Sequence, residues 1–331
     1  MAARSWLLAL ALWSGCASDP PDPFDDAFTE TSRVANLTSL SVHRDGAVVR
    51  EAYYGGGDAT TLHDVRSVTK TVTALLIGAA IDTGCVASVD QPIGALLGDR
   101  APVDPVKAMI EVRDLLSMTS GFDWLESGAL GYNDWITAPD QVDYVLARRL
   151  VAQRGTTFNY DSGAFHLLSA ILTHACAPTA AFADQHLFQP LGIPSPPWET
   201  DNQGLINGAS GLELTTPQLA TIGQLILDRG QRGGVQIVSA AYLDAAMKPQ
   251  IATGYPEDGT PQYGFGIWLG DKPSTGAFGL AEGFGGQFIA VMPERRAVVV
   301  ATTRWQNLGM QADDDYVALY HALVTRLLPA L

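Results

Sequence analysis

The sequence predicts an α/β (α+β) fold in which one antiparallel sheet is assembled from both ends of the chain and flanked by helices, with a mainly helical segment inserted between. Three observations carry this. Strand-like alternation begins after about residue 34, short β-rich runs return near the C-terminus, and helical patterns dominate from about 86 to 260. No self-similarity at a period of roughly 20–50 residues marks a solenoid or propeller.

Taken in order, residues 1–15 outline a signal peptide. "MAARS" carries one positive charge, "WLLALALW" is apolar, and "SGC" supplies small residues before a cysteine. The apolar run is too short to span a membrane as a helix. Ser14-Gly15-Cys16 is similar to a bacterial lipobox, with Trp13 where leucine is usual, so Cys16 is a lipidation candidate; an ordinary cleaved signal with an incidental cysteine is the alternative. Residues 16–35 are rich in Pro and Asp and read as a solvated tether, leaving 36–331 as one domain. "SLSVHRDGAVVREAYYGG" alternates around Asp45-Gly46, a hairpin signal. "VTKTVTALLIGAAIDTG" reads as a buried helix stopped at Gly84, and "EVRDLLSMTSG", "PDQVDYVLARRLV", "AFHLLSAILTHAC" and "TTPQLATIGQLILDRG" follow as helices and loops. "YGFGIWLG", "GGQFIAVMP" and "AVVVATTR" return to strand, before a last helix in "ADDDYVALYHALVTRLL".

Composition narrows the function. The chain has 331 residues, 47% of them apolar and 17% charged, which fits a compact enzyme-like body. Its net charge of −15 would repel nucleic acid and anionic lipid, so a nucleic-acid partner is not expected and membrane contact is expected only through an anchor at Cys16. The six histidines show no metal-ligand spacing, no serine sits in a GxSxG frame, and no Gly-Lys dipeptide offers a phosphate loop. Neither a metal nor a cofactor is expected.

What remains is "DVRSVTKTVTALLIG". Ser67 and Lys70, three residues apart, share a helix face. A desolvated lysine can take the proton of a serine hydroxyl, and the helix N-terminus favours a developing oxyanion. The plainer reading is that Ser67 caps the helix and Lys70 is solvated. None of the other three lysines has a serine three residues upstream.

Two further stretches add to this: "GTTFNYDSGAFHLLSAIL" and "EGFGGQFIAVMPE". In the order SxxK, Tyr-x-Ser, glycine-rich strand, the chain resembles the penicillin-recognising serine hydrolases, especially the class C β-lactamase-like esterases and the 6-aminohexanoate-oligomer hydrolase relatives. The likeness runs from about residue 36 to the end and includes "SVDQPI" and "VRDLLSMTSG". It implies the β-lactamase/transpeptidase-like fold. It also implies Ser67 as acylated nucleophile, Lys70 as its proton acceptor and Tyr160 as the acid/base partner, with Lys70 and Tyr160 titrating as a pair. Phe284-Gly285-Gly286 matches the family's Lys-Thr-Gly or His-x-Gly triplet lining the site. The backbone N–H groups of Ser67 and Gln287 would then form the oxyanion hole.

Departures from the pattern narrow the substrate. Ser162 stands where β-lactamases and transpeptidases have asparagine, and Phe284 where they have a cation that binds a carboxylate. A phenyl ring cannot neutralise a carboxylate. An ester or amide lacking one fits better than a penicillin or a peptide C-terminus. Trp124 and Trp135, within "FDWLESGALGYNDW", are candidates for an apolar substrate wall or for loop packing. Cys85 lies 18 residues past Ser67 and Cys176 14 past Ser162, so two helices starting at the site would end within ~6 Å in height. A Cys85–Cys176 disulfide is therefore possible, with two free thiols as the alternative. The expectation is an exported, monomeric serine hydrolase of small esters or amides, periplasmic or at the cell surface. The rivals are a penicillin-binding carboxypeptidase or β-lactamase, and a non-catalytic binding lipoprotein.

Overall fold

The computed structural model describes residues 24–127, 131–255 and 259–331. The expected signal peptide and Cys16 lie outside them, as do residues 16–23 of the expected tether. Residues 24–35 are not a solvated tether, because Phe24, Ala27, Phe28 and Val34 are buried in the core.

Twelve strands are present among the described residues. They are β1 (Leu37–Arg44), β2 (Ala47–Tyr53), β3 (Leu62–Asp64), β4 (Glu213–Thr215), β5 (Gln231–Arg232), β6 (Val235–Gln236), β7 (Ile251–Ala252), β8 (Gln262–Tyr263), β9 (Trp268–Lys272), β10 (Gly276–Gly283), β11 (Gln287–Met292) and β12 (Ala297–Thr303). Eight of them form one antiparallel sheet in the order β2-β1-β12-β11-β10-β9-β8-β7. The N-terminal hairpin is thus joined to the C-terminal strands through β1 and β12. β1 turns into β2 through Asp45 (φ +50°) and Gly46 (φ +79°), the pair of positive dihedrals a two-residue hairpin needs.

Helices cover both faces of the sheet. Val68–Asp82 (α2), Ser162–Ala175 and Thr216–Leu227 pack into the larger core with Ile289, Val291, Val298 and Val300. On the other face, Asp25–Thr31 (α1) and Met310–Ala322 cover Phe288, Ala290, Val299 and Ala301. This double cover explains why β11 and β12 are buried at every position and read as near-continuous apolar runs. Strand β2, at the sheet edge, keeps Val48 and Val49 exposed.

Helix α2 is buried from Val68 to Ala80, because it runs through the core between the sheet and the other helices. Gly84 (φ +81°) follows its C-cap, as expected. Strand β10 was not legible in advance. Its three glycines lower strand propensity, yet two of them are required: a Cβ on Gly279 would press on Ile267 and Met247, and one on Gly283 would collide with the Val65 carbonyl. Strands β7 and β8 are two residues each, too short to show alternation.

Cys85 and Cys176 are joined by a disulfide, with Cα atoms 5.4 Å apart. It ties the end of α2 to the C-cap of the Ser162–Ala175 helix and spans 91 residues. Replacing both cysteines by serine is expected to lower unfolding free energy by about 2–4 kcal/mol. A shift of the urea midpoint to lower concentration, matched by the parent under reductant, would show this; equal midpoints would not. Among the described residues no single helix is long and apolar enough to cross a membrane.

Candidate active site

Strand β3 delivers the chain to Arg66, a non-glycine residue at φ +48° immediately before α2. Side-chain and backbone contacts hold this uncommon conformation. The Arg66 N–H donates to Asp64 Oδ1 at 2.9 Å, its Nη2 donates to the Tyr132 hydroxyl at 2.9 Å, and the guanidinium lies 4.5 Å from the centre of the Trp305 ring. The turn places Ser67 at the N-cap of α2, but its hydroxyl makes no capping bond. Instead Lys70 Nζ donates to Ser67 Oγ at 2.8 Å and to the Ala209 carbonyl at 3.0 Å. Lys70 is 1% exposed. The capped serine beside a solvated lysine is therefore not what the chain forms.

Burial lowers the Lys70 ammonium to about 8, against the pull of the nearby Glu126 carboxylate, and the Arg66 charge works in the same direction as burial. Tyr160 sits just before the Ser162–Ala175 helix, its ring 5.0 Å from Lys70 Nζ and stacked on Trp268 with centroids 5.7 Å apart. Burial, then the Glu126 charge, holds its phenol well above the ordinary tyrosine range, so it is protonated at neutral pH. The nearby Ser67 hydroxyl pulls the other way, favouring its ionised form. Asp161 caps the same helix through Ala164 N–H (3.0 Å), and burial raises its carboxyl to about 7. Thus α2 and the Ser162–Ala175 helix both start at one point, and Ser67, Lys70 and Tyr160 meet there.

These groups open on a cleft of about 580 Å³, lined among others by Arg66, Ser67, Tyr132, Tyr160, Trp268 and Phe284. Phe284 is 41% exposed and packs edge-on against Trp305. Several expected lining residues lie elsewhere. Gly285 (φ +77°) and Gly286 (φ +101°) make the tight turn between β10 and β11, where a Cβ on Gly285 would strike Trp305. Gln287 is fully buried in β11 opposite Gly283, with Nε2 on the Thr303 carbonyl (3.1 Å) and hydroxyl (2.9 Å), and it does not line the cleft. Gln287 is set back from the cleft because a glycine turn, not a continuous strand, follows Gly283. Gly283 and Phe284 are the residues of this segment that border the cleft with Ser67. Neither Ser67 N–H nor Phe284 N–H has an acceptor among the described residues.

Trp124 and Trp135 are core residues, 2% and 0% exposed, packed edge-on against each other at 5.9 Å. Loop packing, not a substrate wall, accounts for both. Tyr132 from the same stretch does reach the cleft. Ser162 is buried rather than facing substrate: its backbone N–H donates to Glu126 Oε2 at 3.0 Å, and its Oγ donates to Glu126 Oε1. Trp124 Nε1 adds a 2.7 Å bond to Glu126 Oε2. Glu126 was missed; "FDWLESG" holds two acids, Asp123 and Glu126, and nothing local marks the second as the one at the cleft. Trp268, Glu282, Asp313 and Tyr316 also line the cleft and carried no local signal. Among the described residues no group of three or more His, Cys, Asp or Glu could hold a metal ion.

The arrangement can activate a hydroxyl and receive an oxyanion, which is the chemistry of acyl transfer. Comparisons with known proteins agree in fold. Among curated proteins none matches the chain. A protein from Bacteroides dorei DSM 17855 provisionally called a beta-lactamase superposes with TM-score 0.76 at 22% identity, covering 92% of this chain and 96% of the other. A protein from Bacillus anthracis provisionally called a 6-aminohexanoate-dimer hydrolase gives 0.69 at 17%, covering 87% and 80%. EstCE1, a hydrolase with promiscuous acyltransferase activity, gives 0.68 at 19%, covering 90% and 96%. The Beta-lactamase family model matches residues 32–323. The chain therefore belongs to the Beta-lactamase family and carries that family's serine-hydrolase fold.

Proposed function

We propose that the protein is an exported serine hydrolase that cleaves esters or amides through an acyl-Ser67 intermediate. The observation that carries this is the 2.8 Å contact between Ser67 Oγ and a buried Lys70 whose pKa is lowered to about 8. Neutral Lys70 takes the hydroxyl proton as Oγ attacks the substrate carbonyl. The carbonyl oxygen, now carrying the electron pair, is received by the N–H groups of Ser67 and Phe284. Tyr160 gives its phenolic proton to the departing alcohol or amine and regains one from Lys70. Water then attacks the acyl group with the same residues reversed.

Esters or amides without a carboxylate are favoured. Phe284 gives the cleft an aromatic wall, and Glu126, Glu282 and Asp313 line the same space. The rival reading, a penicillin-recognising enzyme, rests on Arg66, the cation at the cleft. Its guanidinium is already engaged by Tyr132, Trp305 and Asp64 (3.6 Å). Export is supported by the Cys85–Cys176 disulfide, which suits an oxidising compartment, and by the apolar N-terminal run. The test is a side-by-side panel of a nitrophenyl ester, a nitroanilide, a D-peptide and a chromogenic cephalosporin. Ester or anilide turnover with an inert cephalosporin is the expected result; fast cephalosporin turnover with inert esters would sink the preference.

A further inference from the structure

The cleft has an uneven charge. Arg66 is balanced by Asp64 and covered by Trp305 and the Tyr132 hydroxyl. Lys70 directs its ammonium to Ser67 and the Ala209 carbonyl. Facing them are Glu126, Glu282 and Asp313. Glu282 accepts from the Tyr316 hydroxyl at 2.7 Å. Glu126 is fixed by three donors, the Ser162 N–H, the Ser162 hydroxyl and the Trp124 indole N–H, and every one of them is neutral. Among the described residues no Lys, Arg or His side-chain nitrogen lies within 4.0 Å of Glu126. It is a carboxylate held in place beside the nucleophile with no ion-pair contact, drawing on Lys70 only at longer range, in a cavity that also presents the rings of Tyr132, Tyr160, Trp268, Phe284 and Tyr316.

Resting on the hydrolase reading above, we propose that Glu126 determines specificity, selecting ester or amide substrates that carry a cationic ammonium group. The substitution of serine for asparagine at the start of the Ser162–Ala175 helix makes this possible. A serine is too short to line the cleft itself, and its two donors instead hold the Glu126 carboxylate there. Glu282 and Asp313 add potential of the same sign. The rings of Trp268, Phe284 and Tyr316 offer faces and edges against which an ammonium with its methyl groups can pack. The same field repels a substrate carboxylate.

The test uses two substrate pairs that differ in charge and hardly in shape. Acetylthiocholine and S-(3,3-dimethylbutyl) thioacetate place the charge on the leaving group. The nitrophenyl esters of 4-(trimethylammonio)butyrate and 5,5-dimethylhexanoate place it on the acyl group. In at least one pair the cationic member is expected to show kcat/KM higher on the order of tenfold, falling as salt is raised. Glu126→Gln, and separately the exposed-helix change Asp313→Asn, should bring that ratio down towards one. Ratios at or below one in both pairs overturn the proposal, as does a ratio untouched by both variants. Calorimetric binding of the same esters to Ser67→Ala separates the two ideas. A cation preference in a protein that hydrolyses nothing sinks the hydrolase reading alone, and an active enzyme without preference sinks this one alone.

Discussion

Ser67→Ala is expected to lower kcat on a nitrophenyl ester by at least about 10³-fold, with secondary structure unchanged by circular dichroism. The size follows from the geometry. Ser67 Oγ is the cleft hydroxyl that accepts from the buried Lys70, beside the Tyr160 ring. What survives in the variant is whatever binding and the backbone N–H groups supply to attack by water. The helix should tolerate the change, because the Ser67 hydroxyl makes no capping bond for α2 to lose. Hydrolysis by the variant at the parent's rate would show that another residue carries the acyl group.

Lys70→Met is expected to lower kcat by about 10³-fold or more and at the same time to stabilise the fold. The two effects share one cause. A buried ammonium with its pKa held at about 8, against about 10.5 in the unfolded chain, costs folding roughly 3 kcal/mol at neutral pH. The sign follows from the protons bound. Between pH 8 and 10.5 the unfolded chain holds more protons than the native one, so the parent's stability rises with pH across that window. Below it the penalty is constant. An apolar methionine removes it, so the variant should unfold at higher urea at pH 7, and its advantage should shrink as pH climbs through 8 to 10.5. In the parent, kcat/KM should rise with pH and level off above about 8, as the Lys70–Tyr160 pair loses its proton. A flat profile from pH 6 to 10 would rule out Lys70 as the acceptor.

The parts of this site that the sequence made legible are those fixed by local spacing. Ser67 and Lys70 are three residues apart on one helix, and Tyr160 precedes a second apolar helix by two residues, so short-range geometry decides where they point. The sheet assembled from both chain ends was legible for a similar reason, since β1, β11 and β12 carry strong strand patterns. The errors fall where long-range packing decides. An aromatic side chain looks the same in sequence whether it lines a cleft or fills a core. Trp124 and Trp135 turned inward because Tyr144 and His166 complete an aromatic cluster around them. Gln287 stands back from the cleft because the positive φ of Gly285 and Gly286 turns the chain before β11 begins. Glu126 could not be seen at all, since its partners Ser162 and Trp124 define its position only after folding.

The most direct test of the central claim is intact-protein mass spectrometry of the parent, quenched during turnover of a slowly deacylating nitrophenyl ester. The account predicts a mass increase of one acyl group, located by peptide mapping on Ser67 and absent from Ser67→Ala. Steady ester turnover with no acyl mass on the protein, or with the adduct on another residue, would contradict it.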